Sequence, residues 1–369
     1  MRIAFIDGIP WDYDVDTPEQ RPLGGTQSSV CYLSRQLAAL GHDVCLVNNG
    51  TFAGLKSGVL HIPFAMAQGP ASKLANVDFC IVANDCRLAA RAKELYGAKT
   101  PVVLWVKADT GARSTAPLAD RRVSDQYRAI AFVSEWQRQQ YVLKFKLPQE
   151  KTWVLRNSIA YAFEARFSGA QSVLEAKNSP PELIYASMPF RGLAWLIDCW
   201  PEIHRRVPAA RLKVVSSNST YQAADDEDTL QLIARCRSTE GVDYHPAVAQ
   251  PLLAKWMQAS AILAYPTNFA ETHCTTALQA MASGALVITS DHGAMAETTC
   301  GFGRLVPDLS SKESFLSRYV DTVCTALEEF EALDARLDES LVQQVAFINS
   351  RFTYRNRAHE LVEWLARLS

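Results

Sequence analysis

Short apolar runs and helical stripes alternate along this chain. "RIAFID" (2–7) and "GHDVCLVNN" (41–49) are runs of strand length, and the segment between them carries Val30, Leu33, Leu37 and Leu40 at helical spacing. The alternation continues through "DFCIVAND" (78–85), the helical "RLAARAKELYG", "PVVLWV" (101–106) and "AIAFVS" (129–134), which leads into the helical "EWQRQQYVLKF". Strands alternating with helices predict a parallel, doubly wound sheet. The pattern breaks at "KLPQEKTWVLRNSIAYAF" (146–163) and at the polar "AQSVLEAKNSPP", then restarts at "ELIYAS" (182–187). A second series follows: a helix with Leu193, Leu196, Trp200, Ile203 and Val207, then strands "RLKVVSS" (211–217), "VDYH" (242–245), "AILAYP" (261–266) and "ALVITS" (285–290). From Lys312 the chain reads as helical, and "YRNRAHELVEWLARLS" puts Leu361, Trp364, Leu365 and Leu368 on one face. The expected organisation is two Rossmann-like domains, 1–160 and 161–345, with a last helix, 346–369, packing back across the N-terminal domain.

Length agrees with that division, since 369 residues exceed the roughly 100–200 of one ordinary domain. A net charge of -2 gives no electrostatic reason to bind nucleic acid. Nine cysteines, without a C-x-x-C pair, suggest neither a disulfide framework nor a zinc site and fit a reducing cytoplasm. The opening "MRIAFIDG" is too short an apolar run for a signal peptide, and no stretch approaches the roughly 20 apolar residues of a membrane span. Basic clusters at 120–128 and 204–213 read as solvated faces. The expectation is a soluble cytoplasmic protein with at most peripheral contact at the inner face of the membrane.

Four stretches carry candidate chemistry. Gly24 and Gly25 open a helix after the first strand, where bare amides can meet a phosphate or sugar; a plain turn explains them too, and they are not the G-x-G-x-x-G dinucleotide fingerprint. The loop 8–20 interleaves Trp11 and Tyr13 with Asp12, Asp14 and Asp16, a composition that suits a polyhydroxylated ligand, with an ordinary acidic surface loop as the competing reading. "YASMPFRGL" places Ser187 at the end of a strand and Arg191 and Gly192 at the next helix start, where a guanidinium can neutralise a diphosphate. In "NFAETHCTTALQAMASG" (268–284) a strand exit supplies Glu271, and a helix running to Gly284 points amides near His273 to Thr276 at any anion, with the Thr275 and Thr276 hydroxyls as further donors. Gly293 and Glu297 follow in a further loop. His273 and His292 lack zinc-helix spacing, so no metal site is expected, and His42, His61, His204 and His359 read as surface or element-end residues.

The stretch "YPTNFAETHCTTALQAMASGALVITSDHGAMAET" resembles the donor-site signature of family-four, retaining glycosyltransferases of the GT-B fold. "GGTQSSVCYLSRQLAALGHDV", "FVSEWQRQQY", "VLRNSI" and "YASMPFRGL" match in the same order along most of the chain. The resemblance implies an α/β protein whose two Rossmann-like, doubly wound domains face each other across a cleft. It implies a retaining transfer, without metal or cofactor, from a UDP- or GDP-type nucleotide sugar to a glycan, glycolipid, glycoprotein or other hydroxyl acceptor, as in polysaccharide biosynthesis. Carried over by position, Glu271 contacts the donor sugar, and amides at Cys274, Thr275 and Thr276, beside His273, hold the diphosphate. Arg191 pairs with that diphosphate, Ser187 sits beside it, and Gly24 and Gly25 approach the phosphates from the acceptor-side domain. In the front-face mechanism the resemblance implies, the leaving phosphate accepts the acceptor's proton.

Two positions depart from the family. Gln279 stands where a second acid meets the ribose, which replaces a charge-assisted bond by an amide contact weaker by roughly 1 kcal/mol. No histidine follows the N-domain strand; "LWVKADTG" offers Lys107 for a phosphate and Asp109 for an acceptor hydroxyl, or two solvated loop charges. Glu271, Arg191 and Asp109 are thus the candidate catalytic residues, with Trp11, Tyr13, Lys107 and Asp109 on the acceptor side. The departures keep open a catalytically weak protein that binds nucleotide sugars or glycans, and less strongly a nucleotide-sugar epimerase, for which the extra acid/base pairs are missing.

Overall fold

The computed structural model describes residues 1–67, 76–167, 172–307 and 309–368. Residues 170 and 171 of the polar stretch and the terminal Ser369 lie outside that set. The chain forms two compact units, one of Met1–Gln20, Gly24–Ser158 and the chain from Tyr354 on, the other of Arg21–Leu23 and Ile159–Thr353.

In the first unit the strands are β1 Arg2–Ile6, β2 Asp43–Asn48, β3 Gly54–Lys56, β4 Val59–Pro63, β5 Phe79–Ala83, β6 Val102–Val106, β7 Ala129–Phe132 and β8 Thr152–Val154. They form one 8-stranded sheet in the order β3-β4-β2-β1-β5-β6-β7-β8, parallel throughout except for the β3–β4 hairpin. Every residue of β5, β6 and β7 is buried, as continuous apolar runs require in a sheet covered on both faces. The hairpin is not evident in the sequence because β3 has three residues and no alternation. Its turn is Ser57–Gly58, both at positive φ (47° and 78°), the two-residue geometry that suits the twist of paired strands. His61, expected at a surface or element end, is buried in β4 with its ring edge against Phe52, 5.4 Å between centroids.

In the second unit the strands are β9 Glu182–Ala186, β10 Arg211–Val215, β11 Val242–His245, β12 Ile262–Tyr265, β13 Leu286–Ser290 and β14 Arg304–Val306. Their order is β11-β10-β9-β12-β13-β14, all parallel. Helices Leu193–Arg206, Glu227–Ser238, Gln250–Ala259 and Thr275–Ala282 connect successive strands. Glu227–Ser238 escapes a hydrophobic reading because it buries only Thr229, Ile233 and Cys236; the Asp226 side chain starts it by accepting from the Thr229 amide at 2.9 Å.

The chain crosses between units at Ser158/Ile159 and Thr353/Tyr354, not near residue 345. One helix, Ala335–Arg351, runs through position 346 with Leu337, Leu341, Val345 and Ile348 buried on one face, and a continuous hydrogen-bonded helix gives no place to divide the chain. The following helix, Tyr354–Leu368, packs within the first unit. Tyr354 stacks on Tyr32 at 5.2 Å, Trp364 on Trp153 at 4.3 Å, and Leu361 and Leu365 are buried. Leu365→Ala is expected to destabilise the first unit by about 2–5 kcal/mol, the range for emptying a fully buried leucine site. The readout is a lowered midpoint in chemical unfolding.

Candidate functional site

In the second sheet β9, β10 and β11 step away from the crossover in one direction and β12, β13 and β14 in the other. Loops leaving β9 and β12 therefore diverge, and the carboxyl ends of these two strands border the crevice where doubly wound sheets take ligands. Ser187 to Arg191 leave β9, and Pro266 to Cys274 leave β12. Gly192 brings the two loops together. A Cβ there would lie 2.4 Å from the Pro266 carbonyl oxygen, and its φ of +98° is itself one that side chains disfavour.

Arg191 and Glu271 meet at this point. Arg191 Nη1 donates to Glu271 Oε1 at 2.6 Å and to Oε2 at 2.8 Å. Tyr265 donates its hydroxyl to Glu271 Oε1 at 2.5 Å, and Ser187 Oγ lies 3.3 Å from the Tyr265 oxygen. The Arg191 guanidinium also lies 4.5 Å from the Phe269 ring centroid and 5.4 Å from that of Phe190, within cation–π range. Burial alone would lower the Arg191 pKa, but the Glu271 charge carries it well above its ordinary value. Among the described residues nothing accepts from the buried Arg191 Nε. A cation at the positive end of a helix is unfavourable, and the Glu271 carboxylate offsets it here.

The loop after β13 clamps Glu271 from behind. The Ala294 amide donates to the Glu271 carbonyl oxygen at 2.7 Å. Gly293, at φ +64°, lies so close that a Cβ would stand 2.5 Å from that oxygen and 2.6 Å from the Glu271 nitrogen. Glu297, read from the sequence as part of this loop, lies inside the short helix Met295–Thr299.

The helix expected to hold an anion starts at Thr275, with Cys274 as its N-cap. The Cys274 amide donates to Thr298 Oγ1 at 3.3 Å, so this one of the proposed phosphate donors has a partner within the protein. Burial pushes the Cys274 thiol up from its usual range, while the amides of Ala277 and Thr276 act on it the other way. Thr275 and Thr276 are half-buried, and His273 is buried with its ring 6.0 Å from Phe352. Gln279 is buried and donates through Nε2 to Gln250 Oε1 at 2.7 Å. At the other end Lys177 Nζ donates to the carbonyls of Ser283 (2.7 Å) and Gln258 (3.0 Å), capping two helix carboxyl ends with a cation whose pKa burial pulls down to about 7.

The acceptor-side candidates are more internal than the sequence suggests. Tyr13 is buried and donates to Asp7 Oδ2 at 2.7 Å, so its ring offers no stacking face to a sugar. Aromatic-plus-acid composition does not reveal which way a side chain turns. The acids of the same loop are held locally: Asp12 by the Thr51 amide (2.7 Å), Asp14 by Lys56 (2.5 Å), Asp16 by Ser57 (2.8 Å) and Arg35 (3.5 Å). Half-buried Trp11 packs where a Gly24 Cβ would be, 2.8 Å away, which explains the glycine at that N-cap; a Cβ on Gly25 meets nothing within 4 Å.

Lys107 Nζ donates to Ser29 Oγ at 2.7 Å and to Asn157 Oδ1 and lies 4.8 Å over the Trp105 ring, with burial pulling its pKa to about 7. Its ammonium is committed inside the first unit. Asp109 accepts from the Gly111 amide at 2.6 Å and stays half-buried. The sequence reading passed over Asp7, which also accepts from Gln27 Nε2 at 2.9 Å and whose pKa burial raises. Its only signal was a strand ending in Asp. Tyr265 was passed over as one more residue of an apolar strand.

Among the described residues no cluster of His, Cys, Asp and Glu is placed to hold a metal, and no helix is long and apolar enough to cross a membrane. Residues 181–323 match the family model "Glycosyl transferases group 1". A "D-inositol 3-phosphate glycosyltransferase" of Streptomyces griseus is 30% identical over 105 residues, which are 28% of this chain and 21% of that protein; the match thus spans about a fifth of the relative's length. Among solved structures, Anabaena HepE in complex with UDP superposes with a TM-score of 0.69 at 16% identity, covering 100% of both chains. WaaG, a glycosyltransferase involved in lipopolysaccharide biosynthesis, does so with a TM-score of 0.66 at 14% identity, covering 98% of this chain and 99% of that one. The fold is GT-B, and the segment that matches the group 1 glycosyltransferase model holds Arg191 and Glu271.

Gly293→Ala is expected to destabilise the second unit by about 1–3 kcal/mol, because a strained φ and a backbone collision coincide. Gly25→Ala, with open space around the new methyl, should leave stability unchanged or slightly raised. Thermal unfolding of the two variants side by side checks the contrast.

Proposed function

We propose that this chain is a metal-independent, retaining glycosyltransferase that moves a sugar from a UDP- or GDP-type nucleotide sugar to a hydroxyl of a glycan or lipid-linked acceptor. The observation that carries the reading is the Arg191–Glu271 pair, its carboxylate buried, at the sheet's switch point, beside the amino end of helix Thr275–Ala282. A nucleoside diphosphate needs a cation and helix-terminal amides, and a sugar needs a fixed carboxylate acceptor.

The chemistry follows from charge. As the glycosidic bond loosens, negative charge gathers on the leaving diphosphate, where Arg191 and the helix amides favour the transition state over the ground state. Glu271 and Arg191 are counter-ions to each other, joined by two hydrogen bonds. A bound diphosphate takes over as counter-ion, and Glu271 is released toward the sugar hydroxyls. The leaving phosphate accepts the proton of the acceptor hydroxyl, so no protein nucleophile is needed. Asp109 serves as a hydroxyl acceptor on the acceptor side, and Gln279, aligned by Gln250, meets the ribose.

Glu271→Gln is expected to abolish transfer while nucleotide diphosphate binding stays at least as tight as in the wild type, read by product analysis and calorimetry. Unchanged turnover would remove Glu271 from the site. Donor binding with neither transfer nor slow donor hydrolysis across a full acceptor panel would overturn the enzyme reading. Gln279→Glu is expected to tighten donor binding by roughly fivefold, the equivalent of about 1 kcal/mol. Weaker binding in the same titration would count against the ribose contact.

A further inference from the structure

Glu271 has two side-chain anchors on opposite terms. Arg191 is the group that, in the donor-site reading on which this inference rests, turns to the diphosphate when donor binds. Tyr265 is not. It is the last residue of β12, fully buried, with its ring 5.8 Å from that of Tyr185. Its hydroxyl donates to Glu271 Oε1 at 2.5 Å, and Ser187 Oγ lies 3.3 Å behind it, able to donate to the phenolic oxygen. Ser187 is tied in turn, its carbonyl accepting from Ser216 Oγ at 2.6 Å. Burial first, and then the Glu271 charge, hold the Tyr265 hydroxyl protonated and therefore a donor.

The two carboxylate oxygens are not equivalent in this arrangement. Oε1 accepts from both Tyr265 and Arg191, whereas among the described residues Oε2 accepts a side-chain bond from Arg191 alone. Once Arg191 turns to a diphosphate, Oε1 keeps its tyrosine and Oε2 is the acceptor presented to a sugar hydroxyl. We propose that Tyr265 is the positioning residue of this donor site, holding Glu271 by Oε1 so that Oε2 faces the sugar after Arg191 has changed partners. The relay Ser187 to Tyr265 to Glu271 joins the ends of β9 and β12, the two strands at which the sheet order reverses.

The test uses the full chain with Tyr265→Phe, which removes one oxygen and keeps the ring. Calorimetry with UDP, UDP-glucose, GDP and GDP-mannose is paired with transfer rates. The expected result is binding of the bare diphosphate within about twofold of wild type, which also reports a folded site. Affinity for the matching sugar nucleotide falls relative to the bare diphosphate, and kcat falls about 10- to 100-fold, the loss expected for one hydrogen bond to a charged group. In a Glu271→Gln background the same substitution should change the sugar-nucleotide preference no further, since Tyr265 acts through that carboxylate. An unchanged kcat and preference, or an equal loss for diphosphate and sugar nucleotide, overturns the positioning role while leaving the donor site standing. Failure of the wild type to bind any of the four ligands overturns the donor-site reading and this inference with it.

Discussion

A guanidinium and a carboxylate buried together must neutralise each other where they stand, because neither retains enough water to stay charged alone. Glu271 is buried and Arg191 half-buried beside it, and much of the second unit serves to keep them there. Gly192 lets two loops approach closely enough for the pair to form, and Gly293 lets a third press on the Glu271 backbone. Tyr265 and Ser187 add neutral donors, and two phenylalanine rings lie beside the cation. Removing Arg191 would leave the Glu271 carboxylate buried without its cation, a penalty of about 3–5 kcal/mol in comparable pairs. Such a pair is a poor device for stability but a suitable one for a site whose cation is to change partners.

The place of the pair follows from sheet order. Both sheets reverse direction once, between β1 and β5 in the first unit and between β9 and β12 in the second. The two switch points carry different chemistry. Behind β1 the buried acid is Asp7, satisfied by Tyr13, Gln27 and the Ile9 amide, among the described residues without a cation, an arrangement that ties down the loop ahead of helix Gly25–Ala39. Behind β9 and β12 the acid has an arginine. The charged pair, a switch point and the amino end of helix Thr275–Ala282 fall together in the second unit, inside the segment that matches the glycosyltransferase family.

Legibility in the sequence tracked how local each cause is. Buried parallel strands such as β5, β6 and β7 are continuous apolar runs and read plainly, whereas three-residue β3 and β8 and the weakly apolar helix Glu227–Ser238 do not. The expected boundary between 345 and 346 falls inside one continuous helix, because a run that reads as helical from Lys312 onward marks no place to divide the chain. Glu271 and Arg191 stood out by motif. Tyr265 and Gln250 did not, since a tyrosine in an apolar strand and a glutamine at a helix start show nothing unusual until a partner is found. Tyr13 and Lys107 err in the other direction: each looked available to a ligand, and each has its polar group engaged by neighbours distant in sequence or around a turn.

By itself the sequence determined the alternation of strands and helices, the doubly wound class, and the short list of chemically active side chains, because periodicity and motif spacing are properties of neighbouring residues. Tertiary structure alone decided which of those side chains act together. Arg191 and Glu271 are 80 residues apart and meet only because β9 and β12 lie side by side, an order that no local pattern of hydrophobic and polar residues encodes. The same adjacency brings Tyr265 to the carboxylate and Ser187 to Tyr265, where packing between chain segments sets the hydrogen-bond partners.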